Sequence, residues 1–409
     1  MIPIAPAGAG RPDVTAYLRQ GTLSLAALPP LSLYVHFPWC VRKCPYCDFN
    51  SHEPSGGVGA IPEREYLGAL RADIESALPL IWGRRIISVF IGGGTPSLLS
   101  ASGLDALLSD VRALLTLEAD CEITMEANPG TVESGRFADY RASGVNRLSI
   151  GVQSFDEAKL VALGRIHDRR QALVAVELAQ RHFDNFNLDL MYGLPQQAIE
   201  EAQRDVEQAL DLAPPHLSLY QLTLEPNTVF AKRPPPLPDD DTTASMHAWI
   251  EKSTAASGYR HYEVSAYARA GRECRHNLNY WGFGDYLGVG PGAHSKLSFP
   301  HRIVRQVRYR NPVSYLQRAE RRDFLAEEFE VDRAELPFEF MLNAMRLLDG
   351  VPASWFAERT GLPPSSIERP LAEAERRGLM TVDHRRWRPT ALGARFLSDL
   401  QALFLSSTR

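Results

Sequence analysis

The chain has 409 residues, 44% of them hydrophobic and 23% charged, with a formal net charge of −5 at pH 7. That length allows a large core and two or three domains, and the mildly acidic balance offers no general basic footprint for nucleic acid or an anionic membrane. No apolar run approaches the roughly eighteen residues that a membrane-spanning helix needs.

The first thirty residues are rich in Ala, Pro, Gly and Leu but lack a basic region ahead of an apolar stretch. They read as a flexible N-terminal arm, residues 1–30, ending at Pro29-Pro30, and not as a secretory leader. From Leu31 short apolar runs alternate with longer amphipathic ones. The run 31–37 is short, apolar and bounded by prolines, which predicts a buried strand. Residues 63–78 place Tyr66, Leu67, Leu70, Ile74 and Leu78 on one helical face. A strand at 87–91 runs into Gly92-Gly93-Gly94, followed by a helix near 103–116 and a strand at 121–127. A helix near 133–142, a strand at 147–153, helices at 157–163 and 169–183, and strands at 186–191 and 216–223 around a helix at 198–211 complete the series.

Six β/α units in sequence imply a parallel sheet with right-handed crossovers. Six are too few to close an eight-fold barrel, so the predicted fold class is α/β, an open, partial (β/α)6 TIM-like barrel whose ligand site lies at the C-terminal strand ends. The proline-rich stretch 228–240 reads as a linker, followed by a helix near 241–256. Beyond about 330 an amphipathic helix through Phe338, Met341, Leu342, Met345 and Leu348, two shorter helical patterns and a two-stranded wing predict a small helical, winged-helix-like unit. The expected division is 1–30, 31–300 and 301–409. Arg376, Arg377, Arg385, Arg386 and Arg388 cluster in the last unit among acidic neighbours and read as a solvated face, with no nucleic acid expected as partner.

Five cysteines, three of them packed between positions 40 and 47, do not suit a disulfide framework and fit a reducing, cytoplasmic setting. Cys121 and Cys274 read as unliganded thiols. Cys40-x3-Cys44-x2-Cys47 directly follows the first strand. Thiolates suit zinc or iron–sulfur, and a structural zinc site wants four ligands, which His36 or His52 would complete. Three thiolates on a four-iron cluster leave one iron open for chemistry.

The Cys-x3-Cys-x-aromatic-Cys loop, with Tyr46 as the aromatic, resembles the defining motif of the radical S-adenosylmethionine superfamily. The resemblance implies a [4Fe-4S] cluster on Cys40, Cys44 and Cys47 and S-adenosylmethionine chelated by the free iron. Strand ends supply candidate partners: Gly92-Gly93-Gly94-Thr95-Pro96 for the amino group, Glu126 for a cationic part, Gln153, and Asp189 for a ribose hydroxyl.

More narrowly, residues 34–49, the Gly92–Pro96 and Gly151–Phe155 segments and Asp189-Leu-Met-Tyr-Gly-Leu-Pro195 resemble the oxygen-independent coproporphyrinogen III oxidase family, from about residue 31 to the end. Carried over by motif position, the resemblance implies that Tyr34, Tyr46, Gly93, Gly94, Thr95, Glu126, Gln153, Arg165 and Asp189 contact S-adenosylmethionine, some of them a second molecule of it. Two departures point elsewhere. The oxidases have a fourth cysteine two residues after the third, where this chain has Phe49, and their N-terminal segment is longer. Asp48-Phe49 and His276-Asn-Leu-Asn-Tyr-Trp281 instead resemble the HemW-type heme chaperones. That likeness implies a heme-binding protein with His276 as a candidate axial ligand and Tyr280 and Trp281 against the porphyrin face. It also implies an acceptor protein and leaves a homodimer open; the alternative is radical oxidative decarboxylation of coproporphyrinogen III. Arg302, Arg305, Arg308 and Arg310 are candidates for heme propionates or, preferably, the outer face of an edge strand.

Overall fold

Strands β1 (Leu31–Phe37), β2 (Arg85–Gly93), β3 (Thr116–Ala127), β4 (Arg147–Gln153), β5 (Phe186–Tyr192) and β6 (His216–Gln221) pair in parallel and in sequence order. This is a computed structural model describing residues 14–130 and 136–406. The helices between the strands, among them Glu63–Ala77, Ala101–Leu114, Arg169–His182 and Ile199–Asp211, begin and end within about two residues of the predicted bounds. The predicted helix near 133–142 is described only from Phe137 to Ser143, its start lying outside the described residues. The sheet is open, as six units dictate.

The inner and outer faces divide along the strands with a period of two. On β1, Leu31, Leu33, Val35 and Phe37 are buried against the helices, each contributing roughly 1.5–3 kcal/mol. The alternate residues Ser32, Tyr34 and His36 register with Ser88, Phe90 and Gly92 of β2. That inner row continues through Thr124 and Glu126, Ser149 and Gly151, then Asn187 and Asp189. A polar chamber therefore forms inside an otherwise apolar fold, because every second residue of each strand faces it.

The sheet is larger than the sequence predicts. β9 (Asp285–Val289) pairs parallel to β1, and β10 (His294–Phe299), β11 (Arg302–Arg308) and β12 (Leu325–Glu330) extend it antiparallel. On the far side β8 (Ala266–Ala268) and β7 (Arg260–Glu263) add two short antiparallel strands, giving a sheet of twelve among the described residues. These strands have no β/α rhythm, which is why periodicity did not reveal them. The boundary expected at 300–301 falls in the turn joining β10 to β11. The linker expected at 228–240 contains a short helix, Val229–Lys232, anchored by buried Phe230.

Residues 14–30 differ from a flexible arm. Tyr17 stacks on Phe299 at 4.8 Å and donates a 2.8 Å hydrogen bond to Glu328, while Leu23 and Leu25 join a second apolar core with Phe283, Phe340, Phe356 and Trp387. Burying these side chains offsets the entropy of ordering the segment. That second core belongs to the C-terminal unit, whose sheet has three strands, β13 (Val351–Pro352), β14 (Met380–Val382) and β15 (Arg386–Pro389), one more than the wing predicted. Arg376 and Arg377 pair with Glu373 on its surface.

The arginines of β11 do not form an outer edge, since β12 covers them. Arg302 pairs with Glu330 and Arg305 with Glu339, and Arg308 is buried against Asp73. Among the described residues no helix is long and apolar enough to cross a membrane.

Candidate functional site

The loop after β1 is pinned at its ends before any ligand arrives. Cys40 N–H donates to His52 O at 3.0 Å and His52 N–H to Pro38 O at 2.8 Å, so residues 40–51 close into a compact loop. Within it Cys47 N–H donates to Cys44 O at 3.1 Å, and the Lys43 ammonium donates to Phe49 O at 2.8 Å. All three cysteines are free thiols. Burial pushes the Cys40 and Cys47 thiols up, partly offset for both by the Ser51 hydroxyl. Loading with metal therefore releases protons. His36, considered as a fourth zinc ligand, has both ring nitrogens engaged: Nε2 donates to Asn50 O at 2.9 Å, and Nδ1 accepts from Tyr34 OH at 3.0 Å. Burial holds this imidazole neutral, lowering its pKa to about 4.

Glycine is required where β2 meets the cysteine loop. Gly93 adopts φ +114, and a Cβ on Gly94 would collide with the Trp39 carbonyl. This lets Gly94 N–H donate to Phe37 O at 2.6 Å and places Thr95 beside Cys40. Gln153 at the end of β4 also has a left-handed backbone, φ 68, at a register shift that re-aims the strand end.

These strand ends converge on one cavity of about 300 Å³, lined by Cys40, Cys44, Tyr46, Cys47, Gly93, Gly94, Thr95, Glu126, Gln153, Arg165 and Asp189. Arg165 reaches it from the loop after the Glu157–Ala162 helix. Its guanidinium approaches Cys44 Sγ at 3.7 Å and donates to Gly151 O at 2.8 Å and Asn128 Oδ1 at 2.5 Å. Its Nε is buried without a partner, a donor left for a ligand.

Asn128 was not singled out from sequence, yet it also donates to Thr95 Oγ1 at 3.1 Å and so ties three strand ends together. Its place two residues after Glu126, at the end of β3, was the available signal. Ser149, likewise missed, donates to Asp189 Oδ2 at 3.0 Å, and Asn187 donates to Asp189 Oδ1 at 2.8 Å. Burial raises the Asp189 pKa and these donors oppose the rise.

Glu126 is raised to about 8, by burial first and then by the Asp189 charge, against the stabilising Gly93 N–H at 3.0 Å. A cationic ligand beside it favours the carboxylate, so binding expels a proton below that value. Affinity of the iron-loaded protein for S-adenosylmethionine is expected to rise with pH by up to about tenfold per unit and to level off above about 8. Isothermal titration across pH checks this: Glu126→Gln should flatten the profile, and a flat wild-type profile would remove Glu126 as the cation's partner.

Tyr34 and His276 are not among the residues lining that cavity. Tyr34 sits deeper on β1, its ring 6.3 Å from Phe90 and 6.4 Å from His276. His276 is the second residue of the helix Arg275–Trp281, whose first two N–H groups are accepted by the buried Glu122 carboxylate, each at 3.2 Å. That anion at a helix N-terminus fixes the helix across the bottom of the sheet. The ring then points inward, Nδ1 to Ser88 Oγ at 3.1 Å and the ring face 5.0 Å from Phe90, and burial lowers its pKa to about 3. The imidazole is neutral, as an iron ligand must be, and it lies against Ser88 and Phe90 of β2.

Comparison with known proteins gives consistent likenesses. The family described as the radical SAM superfamily matches residues 34–209, and that described as the HemN C-terminal domain matches residues 331–396. The chain is 50% identical over 384 residues to a protein named heme chaperone HemW from Escherichia coli (strain K12), covering 93% of this chain and 100% of that one. It is 48% identical to the protein of the same name from Haemophilus influenzae, covering 93% and 99%. The solved Escherichia coli coproporphyrinogen III oxidase, described as a radical SAM enzyme, superposes with a TM-score of 0.78 at 24% identity, covering 93% of this chain and 91% of that one, which is a likeness of fold.

Proposed function

Because the chain belongs to the HemW family of heme chaperones, within the radical S-adenosylmethionine superfamily, we propose that it binds heme and passes it to an acceptor protein in the cytoplasm. On this reading Cys40, Cys44 and Cys47 hold a [4Fe-4S] cluster with exchangeable S-adenosylmethionine. The residues fit such a group: three free thiols around one cavity, a glycine-lined strand end beside them, and an unpaired Arg165 Nε. When bound, the cluster supplies a redox-active iron with one position free for the amino-acid end of S-adenosylmethionine.

The protein's own residues do the rest. Gly93 and Gly94 let the backbone approach the ligand, Glu126 takes its cationic part, Asp189 takes a ribose hydroxyl, and Arg165 and Asn128 brace the cysteine loop against β4. Tyr46 walls the cavity, and Tyr34 holds His36 from deeper on β1. With His276 Nδ1 engaged by Ser88, Nε2 is the ring nitrogen kept for an axial-ligand role.

One observation carries the choice of chaperone over decarboxylase. Phe49, two residues beyond Cys47, stands 55% exposed at the mouth of the cavity, where the oxidases carry a fourth cysteine. An exposed phenyl ring supplies neither a ligand nor a proton there. After anaerobic reconstitution with iron and sulfide, the protein is expected to bind heme in a spectroscopic titration and to give no protoporphyrinogen from coproporphyrinogen III. Appreciable product from that substrate would sink the chaperone reading in favour of the oxidase.

A further inference from the structure

Asn128 is the first residue beyond β3, and Pro129 behind it disfavours a helical backbone, so the amide stands on an extended strand end. Both ends of that amide are engaged. Oδ1 accepts from Arg165 Nη2 at 2.5 Å, and Nδ2 donates to Thr95 Oγ1 at 3.1 Å. A guanidinium can only donate, so the amide atom facing Arg165 has to be the oxygen and the atom facing Thr95 the nitrogen. The side chain is thereby fixed in one orientation.

That orientation decides where two further protons point. Thr95 is 4% exposed, and its Oγ1 already receives the Asn128 N–H. Its own hydroxyl proton is left to be donated, and the Thr95 side chain hydrogen-bonds to Cys40. On the other side the Arg165 fork is planar and rigid. With Nη2 held by Asn128 Oδ1 and Gly151 O, Nη1 is left 3.7 Å from Cys44 Sγ. One amide thus sets a hydroxyl on one thiol and a guanidinium on another. Cys47 is served separately, by Ser51 Oγ at 3.9 Å, a hydroxyl that belongs to the cysteine loop itself.

We propose that Asn128 is a positioning residue for the [4Fe-4S] cluster: through Thr95 and Arg165 it directs hydrogen bonds onto the Cys40 and Cys44 sulfurs and so raises the cluster's reduction potential. The inference rests on the cluster assignment made above. Reduction adds one negative charge that is shared with the coordinating sulfurs. Donors aimed at those sulfurs therefore stabilise the reduced form more than the oxidised one. An apolar side chain at 128 would release both donors from their aim, and the potential would fall.

The test uses full-length protein reconstituted anaerobically with iron and sulfide and titrated with dithionite, without S-adenosylmethionine, following the electron paramagnetic resonance of the reduced cluster. Asn128→Leu is expected to keep its iron and to lower the midpoint by up to about 59 mV, a tenfold change in a one-electron equilibrium. Thr95→Val should lower it in the same sense, whereas Thr95→Ser, which keeps the hydroxyl, should hold the wild-type value. Because Asn128 acts partly through Thr95, Asn128→Leu with Thr95→Val should shift the midpoint by less than the sum of the two single shifts. A wild-type midpoint in iron-loaded Asn128→Leu overturns the proposal. A wild-type midpoint in Thr95→Val overturns it too, whether or not Asn128→Leu takes up iron, and so do additive shifts in the double variant. A wild-type chain that assembles no cluster overturns this inference together with the cluster assignment, which none of the midpoint results does.

Discussion

Serine at Cys40, Cys44 and Cys47 together is expected to reduce iron and acid-labile sulfide to background after anaerobic reconstitution and to abolish S-adenosylmethionine binding. Losing an outer partner of a metal ligand typically costs about 10–100-fold in affinity, and losing the ligands themselves costs more. The fold should survive, because Cys44 and Cys47 are partly exposed and the loop is held by backbone hydrogen bonds to His52 and Pro38 that do not involve sulfur. Iron analysis, ligand titration and a thermal melt separate the outcomes. Retention of near-stoichiometric iron by the triple variant would disprove the cluster assignment, and an unfolded variant would show that the thiols are structural. Arg165→Ala is the graded companion, removing the guanidinium at Cys44 Sγ without touching a ligand.

The largest stability effect is expected away from the site. Asp73, on the Glu63–Ala77 helix, accepts from Arg308 Nε and Nη2 at 3.3 Å, from Tyr315 OH at 2.8 Å and from Gly290 N–H at 3.1 Å. Both charged side chains are almost fully buried, 1% and 2% exposed. Arg308 is further satisfied by Ser295 Oγ at 2.8 Å and Gln306 Oε1 at 3.0 Å. Asp73→Ala strands a buried guanidinium, which costs about 3–5 kcal/mol, so the denaturation midpoint should fall with little change in slope. Asp73→Ala with Arg308→Met should recover part of that loss, because the double variant leaves no unpaired charge. A single-variant cost below about 1 kcal/mol would mean that water reaches the pair.

The same network shows where a linear reading stops. Residues 66, 70 and 74 were read as an apolar helical face, and Asp73 lies on that buried side. A carboxylate there signals a distant partner, but nothing local points to residue 308, which lies 235 positions away. Arg308 itself read as one of four alternating arginines with equivalent prospects. The tertiary structure separates three of them: Arg308 is buried in an ion pair with Asp73, Arg305 pairs with Glu339, and Arg302 pairs with a neighbouring strand through Glu330.

The candidate site was legible to a greater depth. Cysteine spacing, the glycine run and the carboxylates at strand ends were all visible, because the chemistry of a strand end is written in a few consecutive residues. Once the β/α order is known, those ends must meet. Asn128 and Ser149 escaped because their value lies in bonds to Arg165 and Asp189 across neighbouring strands.

By itself the sequence determined the parallel β/α series, the C-terminal unit and the set of thiols and polar groups available for iron and S-adenosylmethionine. Only the tertiary structure decided that six further strands widen the sheet, that residues 14–30 dock, and that His276 faces inward. Helical period and turn chemistry act over a handful of residues, so a chain can be read for them directly. The direction in which a side chain points is set by partners such as Glu122 and Ser88, more than 150 positions from His276, and exists only after the chain has closed on itself.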